Sequence, residues 1–402
     1  MPASNGFVSP MDQILKIVHV ITRLIVGGAQ ENTLLTCEGL HRRGHEVTLI
    51  TGPSLGPEGS LMDRANSGGY KVIVLPSLVR NPHPAKDWDA YHCLRKFCRQ
   101  FKPDIFHTHS SKAGILGRAA ASKEKVPAIV HTIHGLPFHT YQSKLVNAAW
   151  IFLERWAARR CDSIVCVADA MTRQALAAGV GRPDQFTTVY SGMEIQPFLH
   201  PPADKAAVRR QLNIPDGKIV AGTIARLQPL KGHDDLLRIA GPLFLQFPNL
   251  HFLWLGDGVF RDRFTQFILD HGWQDRFTLT GLVPPVQVAR LLPAMDLLVH
   301  PSYREGLPRA VAQAALEVIP SVVYNCDGAD EVCIDHQTGR LVPTGDAQAL
   351  RKAIAELASD ASLRTQMGAA GQKMAVSRFD SEVMVDKLSQ LYERLQSTAP
   401  RR

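Results

Sequence analysis

The feature that most constrains the fold is a regular alternation of short apolar segments with amphipathic helical segments along most of the chain. The apolar segments are rich in Val, Ile and Leu, which is typical of strands buried on both faces of a parallel sheet. Strands that alternate with helices predict parallel sheets covered by helices on both faces. The predicted strands are Ile17–Thr22, Val47–Thr51, Val72–Leu75, Ile105–His107, Ala128–Thr132 and Ile164–Val167 in the first half, and Ile219–Ile224, Phe252–Leu255, Phe277–Leu279, Leu297–His300, Ser321–Tyr324 and Arg340–Val342 in the second half.

The length of 402 residues exceeds what a single hydrophobic core usually supports, so we expect two domains. Three prolines, Pro197, Pro201 and Pro202, interrupt regular structure between Ser191 and Asp204 and place the boundary there. The predicted organisation is an N-terminal tail at residues 1–14, a first domain at 15–195, a second domain at 196–375 and a helical C-terminal segment at 376–402.

In the second half, Glu305 stands just before a predicted helical run from Val311 to Val318. Pro308 suits the first turn of that helix, where its missing N–H has no partner in the helix. The free amides near Gly306 and Leu307, together with the helix dipole, would favour a phosphate or a sugar oxygen. Taken alone, the stretch is equally compatible with a core helix that has an acidic residue near its start.

Upstream, the predicted strand Ile219–Ile224 leads into a loop that carries Arg226 and Lys231. An Arg fork and a Lys point charge are suited to the oxygens of a diphosphate. Solvated loop charges are the alternative interpretation. In open parallel sheets, however, ligands bind beyond the carboxyl ends of the strands, and Glu305 follows another strand of the same predicted sheet. The order of these residues therefore favours an anion-binding site.

Several residues of the first half also follow predicted strands. Gly27 and Gly28 come after the first strand and would let the backbone approach a ligand closely, although a simple strand-to-helix turn is the alternative. His107 and His109 end the fourth strand, with Lys112 just beyond, and His134 follows the fifth strand. A lone histidine is more often structural than catalytic, so these residues by themselves leave both interpretations open.

In combination, these motifs resemble glycosyltransferase family 4, the retaining "group 1" transferases of the GT-B fold. The resemblance spans roughly residues 15 to 395. Besides the two stretches around Lys231 and Glu305, the segments that match in order are Gly27–Gln30, His107–Gly114, His131–Gly135, Val189–Met193, Gly256–Gly258, Asp327–Glu331 and Thr338–Pro343.

The resemblance implies an α/β protein with two Rossmann-like, doubly wound domains that face each other across a cleft. It implies transfer of a sugar from a nucleoside-diphosphate sugar to the hydroxyl of a carbohydrate or lipid-linked acceptor, with retention, in cell-surface polysaccharide or glycolipid synthesis. By resemblance, the catalytic residues are His134, Arg226, Lys231 and Glu305, the donor is bound by Gly28, Arg226, Lys231, Glu305, Gly306, Leu307 and Gln313, and the acceptor side is formed by Gly27, His107, His109 and Lys112.

One position departs from the family pattern. The second glutamate expected eight residues after Glu305 is replaced by Gln313, which can still accept a hydrogen bond from a ribose hydroxyl, but without a charge. This replacement favours one alternative, a non-catalytic nucleotide-sugar-binding subunit or sensor. A nucleotide-sugar epimerase of the same fold is a second alternative. A glycosidase is disfavoured because Glu305 lacks an evident partner carboxylate.

The resemblance implies catalysis without a metal or other cofactor. The net charge of +8 is compatible with anionic substrates or with peripheral contact to an anionic membrane. Because the basic residues are dispersed, we expect no binding to nucleic acid. Seven cysteines without a Cys-x-x-Cys motif indicate a reducing compartment. The sequence shows no secretory signal and predicts a cytoplasmic protein, at most peripheral at the inner membrane face.

Overall fold

The computed structural model describes residues 14–54 and 59–398. Nearly all of the predicted N-terminal tail, residues 1–14, lies outside the described residues, as do residues 399–402 of the predicted C-terminal segment. The described residues form two parallel β-sheets with helices between successive strands, as the alternation of apolar and amphipathic segments predicts.

The first sheet has seven strands in the order β3-β2-β1-β4-β5-β6-β7. Strands β1 and β4 are parallel neighbours, and their register places His19 beside His107. The strands are β1 (Lys16–Ile21), β2 (Glu46–Thr51), β3 (Lys71–Val74), β4 (Ile105–His109), β5 (Ala128–Ile133), β6 (Ser163–Cys166) and β7 (Phe186–Thr188).

The second sheet has six strands in the order β10-β9-β8-β11-β12-β13. In each sheet the strand order reverses beside the first strand, between β1 and β4 or between β8 and β11. Ligands of doubly wound sheets bind at such a switch point, beyond the carboxyl ends of the strands. The strands are β8 (Ile219–Ile224), β9 (Leu250–Leu255), β10 (Phe277–Leu279), β11 (Leu297–His300), β12 (Ser321–Asn325) and β13 (Gly339–Pro343).

Fifteen α-helices are found in the described part of the chain. The first of them ends shortly before Gly44, whose left-handed φ of 88° favours glycine after a helix. The helices are α1 (Gly28–Arg42), α2 (Met62–Ser67), α3 (Pro84–Phe101), α4 (Ser111–Lys123), α5 (Lys144–Ala158), α6 (Asp169–Ala177), α7 (Gln196–Leu199), α8 (Lys205–Gln211), α9 (His233–Gln246), α10 (Arg261–Asp270), α11 (Pro285–Leu291), α12 (Arg309–Leu316), α13 (Ala347–Ser359), α14 (Ala361–Phe379) and α15 (Ser381–Thr398).

All twelve predicted strands are present, and the structure corrects three details. Strand β7 was not predicted, because two of its three residues are threonines and it lacks the apolar run that marks the predicted strands. The predicted helix after Glu305 ends early, at Leu316, since Val318 has a φ of 62° that a right-handed helix does not allow. Pro308 caps this helix instead of lying in its first turn, because its ψ of 90° is not helical.

The described residues divide into two compact units. The first contains the chain up to Thr132, residues Phe152–Ile164 and the end of the chain from Leu388. The second contains Ile133–Ile151 and Val165–Lys387, and its core is built on β8, β9 and β11. The domain bounds given from the sequence stay a prediction. None of the described helices is long and apolar enough to cross a membrane.

Candidate active site

Two loops meet at the switch point of the second sheet, one after β8 and the other after β11. The strands themselves are paired, with Ala221 beside Leu297. The Tyr303 amide donates a hydrogen bond of 2.9 Å to the Leu230 carbonyl, which ties the two loops together. Gly232 completes this close approach, because its φ is 74° and a Cβ atom there would lie 1.9 Å from the Pro301 carbonyl oxygen. Two segments about seventy residues apart are therefore held as one surface.

Lys231 and Glu305 form an ion pair on this surface. The Lys231 Nζ lies 2.5 Å from Glu305 Oε1, and the two side chains are 21% and 16% exposed. Lys231 Nζ is also 3.4 Å from the Ser302 Oγ, and Ser302 in turn donates to the Leu230 carbonyl. The structure thus brings together two residues that the sequence analysis placed in one site.

His300 is the last residue of β11 and supports the same carboxylate. Its Nε2 lies 3.0 Å from Glu305 Oε1, and the residue is 4% exposed. The backbone N–H of Glu305 donates to Asp327 Oδ2 at 2.7 Å. Glu305 is therefore fixed by contacts to its backbone and to its side chain.

The electrostatics of the site keep Glu305 ionised. Burial alone would raise the pKa of this carboxyl group. The charge of Lys231 and the hydrogen bond from His300 more than offset burial, so the pKa of Glu305 lies well below its ordinary value. At neutral pH the site presents a carboxylate and an ammonium group side by side.

Asp235, in the first turn of α9, holds the loop that follows β11 in place through hydrogen bonds. Its Oδ2 accepts a hydrogen bond of 2.6 Å from Tyr303 and one of 2.8 Å from Tyr324 on β12. Burial and the bond to this carboxylate raise the pKa of Tyr303 to about 12. The phenol therefore remains a hydrogen-bond donor throughout the neutral range and keeps the loop in place.

Arg226, the second predicted cation, is exposed on the loop after β8, two residues beyond the end of that strand. It lies on the same loop as Lys231 and at the same edge of the sheet. The loop therefore carries both cations that the sequence analysis assigns to a diphosphate, and that role stays a prediction.

His134 follows β5 and lies against Gly306. A Cβ atom at Gly306 would lie 2.0 Å from the His134 carbonyl oxygen, so only glycine fits there. Burial, and secondly the charge of Arg309, lower the pKa of His134 to about 3. Arg309 is held by the Ser191 Oγ at 2.9 Å and the Gly192 carbonyl at 2.8 Å. His134 is therefore a neutral imidazole at physiological pH, able to exchange hydrogen bonds but not to add charge.

The remaining residues predicted for the donor lie at or near α12 and α1. Leu307 is buried just before α12, and Gln313 is half-buried in its second turn. Gly28 is the first residue of α1, and Gly27, predicted for the acceptor side, precedes it as the helix cap. The roles given to these four residues stay predictions.

The histidines of the acceptor-side prediction lie inside the first sheet. β4 extends to His109, two residues beyond its predicted end, and both His107 and His109 are buried. His107 bonds to the Tyr392 hydroxyl at 2.5 Å and to the Thr132 Oγ1 at 2.7 Å, while His109 Nε2 lies 2.9 Å from His19 Nδ1. Their proposed role toward the acceptor stays a prediction.

Lys112, the last residue predicted for the acceptor side, lies near the start of α4. Its Nζ forms an ion pair of 2.6 Å with Asp87 and also donates to the Asn81 carbonyl. A ligand that used this ammonium group would have to share it with Asp87.

Three residues of the site were missed by the sequence analysis. His300 had a visible signal, since it is a polar residue at the end of an apolar strand that leads directly into the Glu305 loop. Asp327 begins one of the segments that match the family, but the sequence analysis gives it no role in the site. Asp235 gave no signal, because an acidic residue in the first turn of a helix is common for reasons of helix capping alone.

Comparison with known proteins adds to this geometry. The family model for glycosyl transferases group 1 matches residues 204–374, and that for Glycosyltransferase Family 4 matches residues 26–196. The chain belongs to the group 1 glycosyltransferases of family 4. The predicted enzyme class is therefore confirmed.

Two curated relatives match this glycosyltransferase over most of their length. A UDP-Gal:alpha-D-GlcNAc-diphosphoundecaprenol alpha-1,3-galactosyltransferase of Escherichia coli is 28% identical, with 94% of this chain and 96% of the relative covered. A GDP-mannose-dependent alpha-mannosyltransferase of Mycobacterium tuberculosis (strain CDC 1551 / Oshkosh) is 25% identical, with 92% and 93% covered.

Solved structures agree on the fold. The crystal structure of Anabaena Alr3699/HepE in complex with UDP superposes with a TM-score of 0.79 at 20% identity, covering 94% of this chain and all of that one. WaaG, a glycosyltransferase involved in lipopolysaccharide biosynthesis, gives a TM-score of 0.72 at 15% identity, covering 94% and 99%. The predicted GT-B fold, with its two Rossmann-like domains, is confirmed.

Proposed function

We propose that this glycosyltransferase moves a sugar from a nucleoside-diphosphate sugar to the hydroxyl of a carbohydrate or lipid-linked acceptor, with retention at the anomeric carbon. The observation that carries the proposal is the Lys231–Glu305 pair at the β8/β11 switch point. A cation for the diphosphate and a carboxylate for the sugar hydroxyls lie side by side there.

The relatives support the nature of both substrates. The E. coli relative is named for a UDP-sugar donor and a lipid diphosphate acceptor, and the M. tuberculosis relative for a GDP-sugar donor. The Anabaena protein has been crystallised with UDP and with UDP-glucose. We infer that the reaction serves the synthesis of a polysaccharide or glycolipid.

The proposed reaction is a front-face displacement. The acceptor oxygen forms a bond to the anomeric carbon on the face from which the diphosphate leaves, and the bond from that carbon to the phosphate oxygen breaks. The proton of the acceptor hydroxyl passes to an oxygen of the leaving diphosphate. The products are the glycosylated acceptor and the nucleoside diphosphate, and no protein general base is needed.

Each residue of the site has a part in this proposal. Arg226 and Lys231 stabilise the negative charge that grows on the leaving diphosphate, the type of electrostatic stabilisation that usually dominates catalysis. Glu305 accepts hydrogen bonds from hydroxyls of the transferred sugar. His134, a neutral imidazole, contacts that sugar and helps to place the acceptor. Gln313 accepts a hydrogen bond from the ribose.

The ion pair between Lys231 and Glu305 has a consequence for donor binding. The incoming diphosphate and Glu305 compete for the same ammonium group. Because His300 still holds Glu305, the carboxylate keeps a partner when Lys231 turns toward the phosphate. Donor binding therefore frees Glu305 for the sugar without leaving it as an isolated buried charge, which would be costly.

We also propose that the transfer needs no resident metal, since Arg226 and Lys231 can supply the positive charge. Excess EDTA should then leave turnover unchanged. A loss of turnover that is restored by a divalent cation would contradict this part of the proposal.

The first experiment is a thermal-shift screen of nucleoside diphosphates and their sugars on the purified full chain. A ligand that binds the folded state raises the melting temperature by mass action. The best donor is then incubated with candidate acceptors, including undecaprenyl-diphosphate sugars, and the anomeric configuration of the product is read by NMR.

Three outcomes of these assays are informative. Transfer with retained configuration supports the proposal. Transfer with inverted configuration contradicts the retaining mechanism. If a sugar nucleotide stabilises the protein but the donor is neither transferred nor slowly hydrolysed, the result would support a non-catalytic sensor instead.

A further inference from the structure

A cleft opens at the edge of the second sheet that lies opposite the candidate active site. Asp296 and Pro320, which line it, come directly before β11 and β12, whereas Glu305 follows the end of β11. The cleft has a volume of about 490 Å³, within the range of pockets that hold small molecules. All residues that line it belong to the second unit. It is therefore separate from the site proposed for the sugar nucleotide.

Apolar side chains supply much of the lining. Among them are Phe198 and Leu199 of α7, Met295 just before β11 and Ile319 just before β12. Phe198, Met295 and Ile319 are buried, so this part of the wall is firmly packed. Such a surface suits the hydrocarbon part of a ligand.

Glu317 brings an acidic group into this apolar lining. It lies directly after α12 and is half-buried, and its Oε1 is buried without a hydrogen-bond partner in the described part of the chain. Burial raises the pKa of this carboxyl group to about 9, so the group carries its proton at neutral pH. Buried polar atoms ordinarily have partners. The missing partner therefore points to a ligand that enters the cleft.

The carboxyl group of Glu317 also costs the protein stability at neutral pH. In the unfolded chain it ionises near its ordinary pKa, whereas the folded chain holds the proton up to about pH 9. The contribution of this group to the free energy of unfolding is therefore lost as the pH rises through that interval. Glutamine would fill almost the same space without this loss, so packing alone does not explain an acidic residue here.

The end of α12 favours a cation beside Glu317. The last carbonyl groups of a helix carry partial negative charge, which attracts cations and disfavours a lone carboxylate. Glu317 is the residue that caps this end. Val318, which also lines the cleft, has a φ of 62°, an unusual conformation for a β-branched residue. The chain thus holds an acidic group where a positive charge would be stabilised twice, by the carboxylate and by the helix end.

The other charged side chains that line the cleft already have partners. Lys205 Nζ forms an ion pair of 2.5 Å with Asp296 Oδ1. Arg364, on α14, donates from its Nη1 to two carbonyl groups at the end of α13. These cations are engaged within the protein, whereas the buried oxygen of Glu317 is not.

We propose that this cleft binds a small organic ammonium ion, a primary amine on an apolar chain. The ammonium group pairs with Glu317 at the end of α12, and the hydrocarbon chain lies against the apolar lining. Binding ionises Glu317, so one proton leaves the protein for each ligand bound. A carboxylate ligand fits poorly, because it would meet Glu317 and the negative end of the helix. A neutral alcohol makes the apolar contact without the ion pair.

The test measures binding of hexylamine to the purified full chain by ligand-observed NMR, with hexanol and hexanoate as matched probes. The amine keeps its own proton up to about pH 10, as lysine does. At pH 8 we expect hexylamine to bind at least roughly tenfold more tightly than hexanol, and hexanoate not to bind. The dissociation constant of hexylamine should fall about tenfold from pH 7 to pH 8, because each ligand releases one proton from Glu317.

Two variants locate the binding site. Glu317→Gln keeps the shape of the side chain but cannot ionise, so it should weaken hexylamine binding at pH 8 by about tenfold or more and remove its pH dependence. Thr365→Trp places a large ring in the cleft from α14 and should weaken the binding of hexylamine and hexanol alike.

Matched controls make the same chemical changes outside the cleft. Ser362→Trp alters an exposed residue of the same helix that does not line the cleft, and Glu46→Gln alters an exposed residue of β2. Both should bind hexylamine like the wild type. Circular dichroism and melting temperature verify that every variant is folded.

Three results would overturn the proposal. The first is no binding of hexylamine to the wild type. The second is tighter binding of hexanoate than of hexylamine, which would assign the cleft to an anion held by Lys205 and Arg364. The third is equal affinity of Glu317→Gln and the wild type for hexylamine at pH 8.

These results are independent of the proposed transfer reaction. The cleft and the Lys231–Glu305 pair lie at opposite ends of β11, so Glu317→Gln should keep the wild-type affinity for UDP or GDP. A failure of amine binding leaves the transfer reaction intact, and a failure of transfer leaves the cleft intact.

Discussion

The second sheet has the same strand order as the first six strands of the first sheet, but the histidines at equivalent strand ends have different partners. The strand beyond each switch point ends in a buried histidine, His109 on β4 and His300 on β11. His109 bonds to His19 on the neighbouring strand, whereas His300 bonds to Glu305 in the loop that follows its own strand. The first histidine joins a network within the sheet, and the second supports a charged group at the end of the sheet.

This comparison shows that topology alone does not define a site. Burial lowers the pKa of His19 to about 3, so the first network contains a neutral imidazole. In the second sheet, Lys231 and His300 together keep Glu305 ionised despite its burial. What differs is the residues that the loops bring to the strand ends, and each prediction below tests one side of this contrast.

The largest effect is expected for Glu305→Gln. The variant keeps the shape of the side chain but loses the charge that, in the proposed reaction, accepts hydrogen bonds from the sugar. We expect turnover to fall by about 100-fold, while affinity for the nucleoside diphosphate, which lacks the sugar, is kept or rises, because Lys231 loses a competing carboxylate. Steady-state kinetics and calorimetry measure the two quantities.

Glu46→Gln, at an exposed residue of β2, is the matched control and should keep wild-type turnover. An equal loss of nucleoside-diphosphate affinity and turnover in Glu305→Gln would instead place the carboxylate against the nucleotide.

His300 should have a smaller effect, because it acts on the substrate through Glu305. We expect His300→Ala to lower kcat about tenfold, since Glu305 then loses the partner that it keeps when Lys231 turns toward the diphosphate. His300→Gln keeps an N–H donor and should restore most of the activity. Two variants with equal kcat would show that the hydrogen bond to Glu305 does not matter for catalysis.

In the first sheet, the buried residue His19 should make the free energy of unfolding depend on pH. Below about pH 6.5 the unfolded chain takes up a proton at His19, but the folded chain does not until about pH 3. The free energy of unfolding should therefore fall as the pH drops from 6.5 toward 3. One such histidine contributes at most about 1.4 kcal/mol per pH unit.

His19→Gln should remove that contribution, which urea unfolding between pH 7 and 5 can measure. Other histidines whose pKa burial lowers, including His134 and His233, keep part of the slope in the variant. An unchanged slope in His19→Gln would show that His19 does not have the low pKa that its burial implies.

The smallest effect is expected at Gln313. If its side chain faces the ribose, Gln313→Ala should weaken the binding of nucleoside diphosphate and of donor by the same factor, about fivefold. Gln313→Glu should preserve or tighten binding, because a charged acceptor makes the stronger hydrogen bond. Equal affinities for Gln, Glu and Ala would mean that the ribose has another partner.

Most of the fold could be predicted because each strand carries its own local signal. The apolar runs identified twelve of the thirteen strands in the described residues, and the strand that was not predicted, Phe186–Thr188, has two threonines in place of an apolar run. Strand and helix ends were less accurate. β4 continues to His109 because its polar side chains are hydrogen-bonded inside the protein, which a hydropathy pattern does not detect.

The site was predictable only in part, since its geometry depends on distant contacts. Lys231 and Glu305 could be placed together because both follow strands of one sheet. The hydrogen bonds of Tyr303 to Asp235 and of Glu305 to Asp327 depend on how the loops fold back, and residue spacing does not record that. The charge state of Glu305 depends on those contacts as well.

The central claim is that the Lys231–Glu305 edge of the second sheet binds the donor diphosphate, and calorimetry of UDP and GDP tests it most directly. Lys231→Ala is compared with the control variant Lys205→Ala. In the wild type, Lys205 Nζ forms a similar ion pair of 2.5 Å with Asp296. Asp296 lies just before β11, at the opposite end of that strand from the site. Both variants lose one lysine charge and one carboxylate partner. The ligand is whichever of the two nucleoside diphosphates binds the wild type. We predict that Lys231→Ala lowers the affinity for it by about 10- to 150-fold, because one charge-assisted contact is lost. Lys205→Ala should leave that affinity unchanged. Equal affinities of the two variants would contradict the account.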